Sequence, residues 1–363
     1  MSSLRRALDE VHARAKERMG VDDVRRVHRL HLFSLACEVV GRVLIHVSLE
    51  PLSFCAGVFV LWVHKQLQAT EIGHPVLHGS YDRLEGAEAF RSWSWNWRVP
   101  IDERVWHRGH NLRHHPYTNV ASRDPDVTFG PTRLNGCKGH RWYHYLQVPV
   151  TLFVMWPAFG FWMNLHFAGV LDLFRREDRD FLPDRSWRSA RNALGSAMRK
   201  FAPYYAKELV LFPALAGPLW WKVVLGNALS EIMRDLYSAA SIFCGHIGPG
   251  LDGYAPGARA HDRDSWYAMQ LEQTQNFDVP YVLSILCGGL DRQIEHHLFP
   301  QLPPERLREI APEVRRICEA HGVAYRSGSW PAVLGRTFST LWRLSFPEVA
   351  AVSVPAGTSS RPQ

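Results

Sequence analysis

Histidines crowd into three short stretches of this chain: Glu71-Ile-Gly-His74-Pro-Val-Leu-His78, His110-Asn-Leu-Arg-His114-His115, and Gln293-Ile-Glu-His296-His297-Leu-Phe-Pro300. A neutral imidazole is the commonest protein metal ligand, and it suits iron, copper, nickel and zinc alike. On a helix, residues four apart share a face, so His74 with His78, and His110 with His114, can each converge on one ion. Directly adjacent helical residues point roughly 100° apart, so the doublets His114-His115 and His296-His297 can serve two ions lying side by side. Seven clustered histidines exceed the four ligands of a closed zinc site. The pattern therefore predicts two ions, or several sites. A lone histidine is ordinarily a solvated or capping residue; three such clusters beside apolar segments are not explained that way.

Ligating imidazoles usually donate their other N–H to a carboxylate or carbonyl. Glu71, Asp124, Asp126 and Glu295 are the carboxylates near enough in sequence to do so, with a surface charge or helix cap as the equal alternative. Among the other histidines, His107 reads as a surface residue that could partner His110. His64 and His166 read as interfacial or packing residues, and His140, His144 and His261 as solvated.

The elements that must position these clusters are apolar segments at Leu32 to Val47, Leu52 to Val63, Val148 to Phe174 and Leu209 to Leu229. Each is near or below the roughly 20 residues that span hydrocarbon, and the first carries Glu38 and Arg42. Mean hydropathy is only −0.19, so about half of the chain must lie outside a bilayer. The polar blocks at 65–147 and 248–363 hold the histidine clusters. The expectation is an all-α, polytopic membrane protein of about four transmembrane helices under a cytosolic helical cap. Residues 1–30 read as a cytoplasmic or interfacial helix, 31–325 as the main domain and 326–363 as a tail whose last part is disordered.

One conflict follows. If the segments Val148 to Phe174 and Leu209 to Leu229 both cross, the basic stretch Arg175 to Lys200 lies outside, against the positive-inside tendency. A re-entrant hairpin near Pro157 to Gly160 would return it to the cytoplasm.

The 363 residues include 42 Lys+Arg against 35 Asp+Glu, a formal charge of +7, with 14 Trp and 46% apolar residues. That balance fits a protein seated at an anionic membrane face. The basic residues are scattered and no nucleic-acid-reading motif is present, which argues against nucleic acid as a partner. Six cysteines show neither close pairing nor C-x-x-C spacing, as expected in a reducing compartment.

The stretch from Trp106 through HNLRHHPYTN to Asp124-Pro-Asp126, and the later QIEHHLFP, resemble the second and third histidine boxes of the membrane fatty acid desaturases. The third box is of the kind with Gln in place of the first His, as in front-end and many bacterial members. Pro303-Pro-Glu-Arg-Leu307 and Ile310 to Ala320 also look like that family's sequel. The resemblance implies two irons as cofactor, with His74, His78, His110, His114, His115, His296 and His297 as ligands and His246, at the end of the last membrane helix, as one more. Gln293 would be a weak ligand or a hydrogen-bonding neighbour. Some relatives carry Asn four residues before the position of His246, where this chain has Ile242.

The implied reaction uses dioxygen and two electrons to remove two hydrogens from adjacent carbons of a fatty acyl chain. The resemblance further implies a separate electron donor, ferredoxin or cytochrome b5 with its reductase, since no His-Pro-Gly-Gly haem motif is present. The active site and both termini would lie on the cytoplasmic side of the lipid bilayer. A hydroxylase or acetylenase on the same scaffold is the nearest alternative, and a membrane zinc hydrolase or zinc-stabilised receptor a more distant one.

Overall fold

A computed structural model describes residues 3–134, 136–174 and 181–347 of the chain. These residues build an all-helical structure without strands; two isolated bridges, Val120 with Tyr254 and Asp278 with Ser329, are its only extended pairings. In chain order the α-helices are α1 (Leu4–Glu17), α2 (Val21–Val47), α3 (Pro51–Leu67), α4 (His74–Leu77), α5 (Glu103–Trp106), α6 (Gln147–Val150), α7 (Phe159–Phe167) and α8 (Trp187–Ala206). There follow α9 (Phe212–Ala214), α10 (Trp220–His246), α11 (Arg263–Gln273), α12 (Tyr281–Cys287), α13 (Gln293–Leu298), α14 (Pro304–Ala320) and α15 (Trp330–Leu344).

Two helical hairpins form the stem. The first breaks at Glu50-Pro51, where Pro51 opens α3 and the Glu50 carboxylate accepts from the backbone N–H of Ser53 at 2.6 Å, an N-cap that removes an orphan donor. The α2 and α3 helices approach closely through Gly41: a Cβ there would sit 2.7 Å from the Leu61 backbone. The second hairpin joins α8, continued by a π-helical turn (Lys207–Leu211) and α9, to α10. Both turns lie at one end, because Lys222 Nζ donates to the carbonyl oxygens of His46 and Ser48, and His46 Nε2 contacts the Phe212 carbonyl at 3.0 Å. At the other end α3 leads into His74 and α10 closes on His246. The outer face of the stem exposes large apolar side chains, among them Leu32, Phe33, Val43, Val210, Leu215 and Trp221.

Between the helices lies a buried ionic layer. Arg42 pairs with Glu38 (3.0 Å) and Glu208 (2.7 Å), Lys65 with Glu208 (3.0 Å) and Glu231 (2.7 Å), and Arg234 with Glu231 (2.8 Å) and Asp235. These charges sit on α2, α3, the π-helical turn that continues α8, and α10. Among the described residues, only Val21–Val47 and Trp142–Phe167 are long and apolar enough to cross a membrane by length and composition.

The stretch read from sequence as the third apolar segment folds differently from a straight span. It comprises α6, a π-helical turn at Thr151–Met155, a 3₁₀ turn at Trp156–Ala158 and α7. Both of its ends are tied to the histidine-bearing block: the Gln147 side chain accepts from the Arg133 N–H at 2.8 Å, and the Phe167 carbonyl accepts from Arg108 at 2.6 Å. The basic stretch after it, of which 175–180 fall outside the described residues, returns to the same block through Lys200, which pairs with Glu103 at 2.5 Å and donates to Asn96.

The cap is built by α11 to α14 with α1. The N-terminal helix ends at Glu17, short of residue 30, and its apolar stripe of Leu8, Val11 and Ala15 is buried against Ile294, Leu298, Phe299 and Leu307. It is therefore a covering helix of the cap, not one whose apolar face is free for lipid. Residues 330–344, read as tail, form α15 and bury Val333 and Leu341 in the core; the disordered end expected of the tail lies outside the described residues.

The Gly41 contact gives a test of the first hairpin. Gly41→Leu is expected to cost about 1–3 kcal/mol by forcing two backbones apart. Gly195→Ala, in open space within α8, is expected to gain about 0.5–1 kcal/mol from reduced backbone entropy. Thermal unfolding in detergent measures both, and equal effects would contradict the packing described.

Candidate metal centre

The three clusters meet at the top of the stem. The π-helical turn Gln68–Gly73 precedes His74, and a second, His107–His114, carries the middle cluster. In that wider winding the His115 N–H bonds to the His110 carbonyl, five residues back. The consequence departs from the four-residue spacing read in the sequence. His110 and His115 now stand one above the other, with Nε2 atoms 3.2 Å apart, while His114 is turned aside.

Ring nitrogens gather into two principal groups: His74, His78, His110 and His296, and beside them His114, His246 and His297, each group within 4.8 Å. His110 and His114 approach each other again only in an overlapping set with Asp126. The doublet His296-His297 divides between the two groups. His115 belongs to neither set and stands between them, its ring stacked on that of His297 at 4.4 Å. The Nε2 atoms of His78 and His74 are 3.2 Å apart and those of His74 and His110 3.4 Å. The Nε2 atoms of His296 and His297 are buried without a hydrogen-bond partner. Buried acceptors without donors are costly, so a set of lone pairs converging on common points fits cations. Imidazole donors of this number fit two divalent ions such as iron.

Outer contacts orient several rings. His114 Nδ1 lies 3.0 Å from both oxygens of Asp124 and 3.5 Å from Asp126. Asn119 is held at a positive φ of 56° where its N–H donates to Asp124 at 2.7 Å, a strained backbone fixed by the carboxylate it positions. His297 Nδ1 meets Gln270 Oε1 at 2.9 Å and Thr118 Oγ1 at 3.1 Å. Gln270 carries no sequence signal, lying on α11 far from any cluster. Gln293 Nε2 is 2.7 Å from His246 Nε2, and its buried carbonyl oxygen has no partner; turning the amide over would present that oxygen to the same point. Gly245 permits the approach, since a Cβ there would lie 2.6 Å from the Gln293 side chain.

The other two carboxylates do different work. Glu71 forms a two-pronged pair with Arg308 (3.0 and 2.7 Å), and Glu295 accepts from Asn276 and Tyr325, both at 2.8 Å or less. They fasten the box elements to the cap without touching a clustered histidine. His107 is exposed, as is His261. His64 is buried against Ser34 and His166 against the Pro125 carbonyl. His144, expected to be solvated, is wholly buried: the 3₁₀ turn Trp142–Leu146 folds its ring inward, where Nδ1 accepts from the Arg141 N–H. His140 is half-buried on the Ser345 carbonyl.

Burial and neighbouring rings hold His74, His78, His110, His115, His296 and His297 well below the ordinary imidazole range, so these remain neutral and ready to ligate. His114 is the exception. Burial opposes its charge, but Asp124 and Asp126 outweigh that and raise it to about 9.

An elongated cavity opens from the centre, lined by His74, His110, His114 and His246 at one end and by Arg234 and Asp235 at the other. Its walls are apolar: Trp97, Val99, Ile101, Phe159, Met163 and Ile242. A smaller arm continues past Asp126 and His246 toward Phe129 and Leu134.

The sign of the His114 shift sets a pH dependence. A histidine raised from 6.5 to about 9 stabilises the metal-free fold fully below about pH 6.5, and that contribution is lost as pH rises through about 9. Metal uptake must expel this proton. Affinity is therefore expected to rise with pH by one proton per site across that window, read as acid release on metal addition. Asp124→Asn is expected to remove the release and weaken metal binding by about 10–100-fold. A pH-independent affinity would contradict the assignment.

Comparison with known proteins agrees with the geometry. The sequence profile described as fatty acid desaturase matches residues 50–329. An NADPH-dependent stearoyl-CoA 9-desaturase of Mycobacterium tuberculosis is 32% identical over 360 residues, 96% of this chain and 81% of that protein. An sn-1 linoleoyl-lipid 6-desaturase of Arthrospira platensis is 24% identical over 82% of this chain and 79% of its own length. An acyl-lipid (7-3)-desaturase of Diacronema lutheri is 27% identical over 80% and 62%.

Proposed function

The chain belongs to the fatty acid desaturase family of oxidoreductases, and from that premise we propose that it introduces a double bond into a fatty acyl chain at a histidine-held pair of irons. The reaction balances as –CH₂–CH₂– + O₂ + 2e⁻ + 2H⁺ → –CH=CH– + 2H₂O. The observation that carries the reading is one of juxtaposition: two buried groups of ring nitrogens open onto one narrow apolar cavity. His74, His78, His110 and His296 would hold one ion, His114, His246 and His297 the other, with His115 between them and Gln293 beside His246. When bound, the irons would supply the oxygen-dependent oxidation that no side chain can perform.

The chain's own residues place the substrate. An apolar slot favours an acyl chain and excludes water. On α10, His246, Ile242, Ser238 and Arg234 recur every four residues and all line the cavity, so one helix face leads from the centre to the ionic layer. Arg234 is held there by Glu231 and Asp235. Displacing a buried, paired charge costs several kcal/mol, and an acyl chain offers nothing in return. The ion pair is thus a floor that limits how much chain passes the metal centre. The relative of 32% identity is named for a coenzyme A thioester and others for acyl lipids, which supports an acyl chain on either carrier and favours the thioester. Electrons would come from a separate ferredoxin or cytochrome b5 with its reductase; NADPH dependence is printed for that same relative.

Expression in a host of known lipid profile, with double-bond mapping, tests the reading. The wild type is expected to yield new monounsaturated acyl chains and to carry iron. His297→Ala should lose both product and about one ion, and Ser238→Leu should shift product toward shorter chains. Added oxygen without a double bond would point to a hydroxylase, and unchanged lipids would sink the proposal.

The membrane arrangement is part of the proposal. Four crossings by α2, α3, α8–α9 and α10 would put both turns on one side and all of the clustered histidines, with the basic Arg188 and Arg191, on the other. The exposed apolar belt and the ties from Gln147 and Phe167 to the histidine block support it, and the positive-inside tendency makes the histidine side cytoplasmic. In a background lacking the native cysteines, Leu49→Cys and Gly217→Cys should label from outside and Arg188→Cys from inside. Labelling of all three from one side would refute four crossings.

A further inference from the structure

The outer face of α2 changes character along its length. Arg25, Arg29, Leu32, Ala36, Val40 and Val43 follow one another at steps of three or four residues and are all exposed, so they form a single stripe. In the membrane arrangement proposed above, the apolar part of that stripe faces lipid. Arg29 stands three residues before Leu32, about 4.5 Å along the helix axis. The two arginines therefore sit at the level of the cytoplasmic headgroups, directly above the chains that Leu32 and Phe33 would touch.

An open recess lies here between the starts of α2 and α12. Arg25, Arg26 and Arg29 line it from α2, Tyr281 and Ile285 from α12, and Asp22 is the one carboxylate among its lining residues. The three arginines differ in how far the protein occupies them. Arg26 is committed, pairing with Glu305 at 3.0 Å and donating to the Tyr281 hydroxyl at 3.0 Å. Arg25 meets only Asp22, at 3.3 Å between two largely exposed side chains, a contact of little strength. Arg29 makes no ion pair or hydrogen bond among the described residues. Across the recess Tyr281 and Val282 are exposed, and a tyrosine ring favours the membrane–water interface.

Two cations without a strong partner, gathered in one recess, call for an anion from outside the chain. The apolar stripe immediately below favours an anion carried on acyl chains, since phosphate can meet Arg25 and Arg29 while its chains lie on Leu32 and Phe33. We propose that this recess binds the headgroup of an anionic phospholipid from the cytoplasmic leaflet, with Arg25 and Arg29 as its contacts and Arg26 fixed beside them. The inference rests on the crossing of α2 proposed above, which the cysteine labelling tests without reference to any lipid.

Native mass spectrometry tests the site itself. The full-length, iron-loaded protein is stripped of lipid in detergent and titrated with phosphatidylglycerol or with phosphatidylcholine bearing the same acyl chains. The first phosphatidylglycerol is expected to bind about tenfold more tightly than phosphatidylcholine, each arginine near an anionic headgroup being worth about fivefold. Arg25→Gln with Arg29→Gln is expected to abolish that preference, with iron content and unfolding temperature unchanged. Arg29→Gln alone, which breaks no contact, is expected to lower it about fivefold. Lysine at both positions should keep the preference, and so should Arg315→Gln with Arg316→Gln, which removes two exposed charges from α14. Equal binding of the two lipids by wild type, or a preference that survives in the Arg25 and Arg29 double variant, would overturn the proposal. So would displacement of phosphatidylglycerol by coenzyme A or inorganic phosphate at constant ionic strength, which would assign the recess to a soluble anion. Cysteine labelling that contradicts the crossing of α2 would defeat the membrane arrangement instead.

Discussion

Neutral imidazoles brought nitrogen to nitrogen in a buried site are the constraint on which the structure turns. Along the series His78, His74, His110 and His115, successive Nε2 atoms lie 3.2 to 3.4 Å apart. Each needs a donor or a cation, and the protein offers too few donors. Rings in this position are tolerable only if their carriers are held rigidly until cations join them. Glu71 clamped by Arg308, Glu295 clamped by Asn276 and Tyr325, and Thr118 and Gln270 on His297 supply that rigidity.

The stem answers a second demand. Charges such as Glu38, Arg42, Lys65, Glu208, Glu231 and Arg234 would be prohibitive alone in hydrocarbon, but here each faces an opposite charge inside the bundle. Pairing across both hairpins locks α3 to α8 and α10, so the helix that delivers His74 and the helix that delivers His246 share one rigid support. The same layer forms the floor of the acyl cavity. Stability of the stem and depth of the cavity therefore depend on the same residues.

Much of this was legible in the residues, and the failures have physical causes. The clusters and the division of the His296-His297 doublet follow from helical spacing, and the place of His246 at the end of a long helix from the family resemblance. His110 meets His114 only in a set with Asp126 and otherwise joins His74, His78 and His296, because spacing arguments assume 3.6 residues per turn and the backbone there winds wider. Glu71 and Glu295 sit within the boxes yet serve the cap, since proximity in sequence does not say which way a side chain leaves the helix. Gln270 was invisible because its role arises only from tertiary contact. The third apolar segment overlaps Trp142–Phe167, long and apolar enough to cross a membrane, but hydropathy did not disclose that hydrogen bonds from Arg133 and Arg108 tie it to the histidine block at both ends.

Adjacency explains why doubled histidines matter here beyond their number. Successive residues leave a helix in different directions, so His114 lines the apolar cavity while His115, its neighbour, floors a polar recess beside Asp82, Ser92 and Asn111. One short turn thereby touches both the place where an acyl chain can lie and the place where solvent arrives. Neither environment has to be continuous with the other. A single histidine in place of the doublet could reach only one of them.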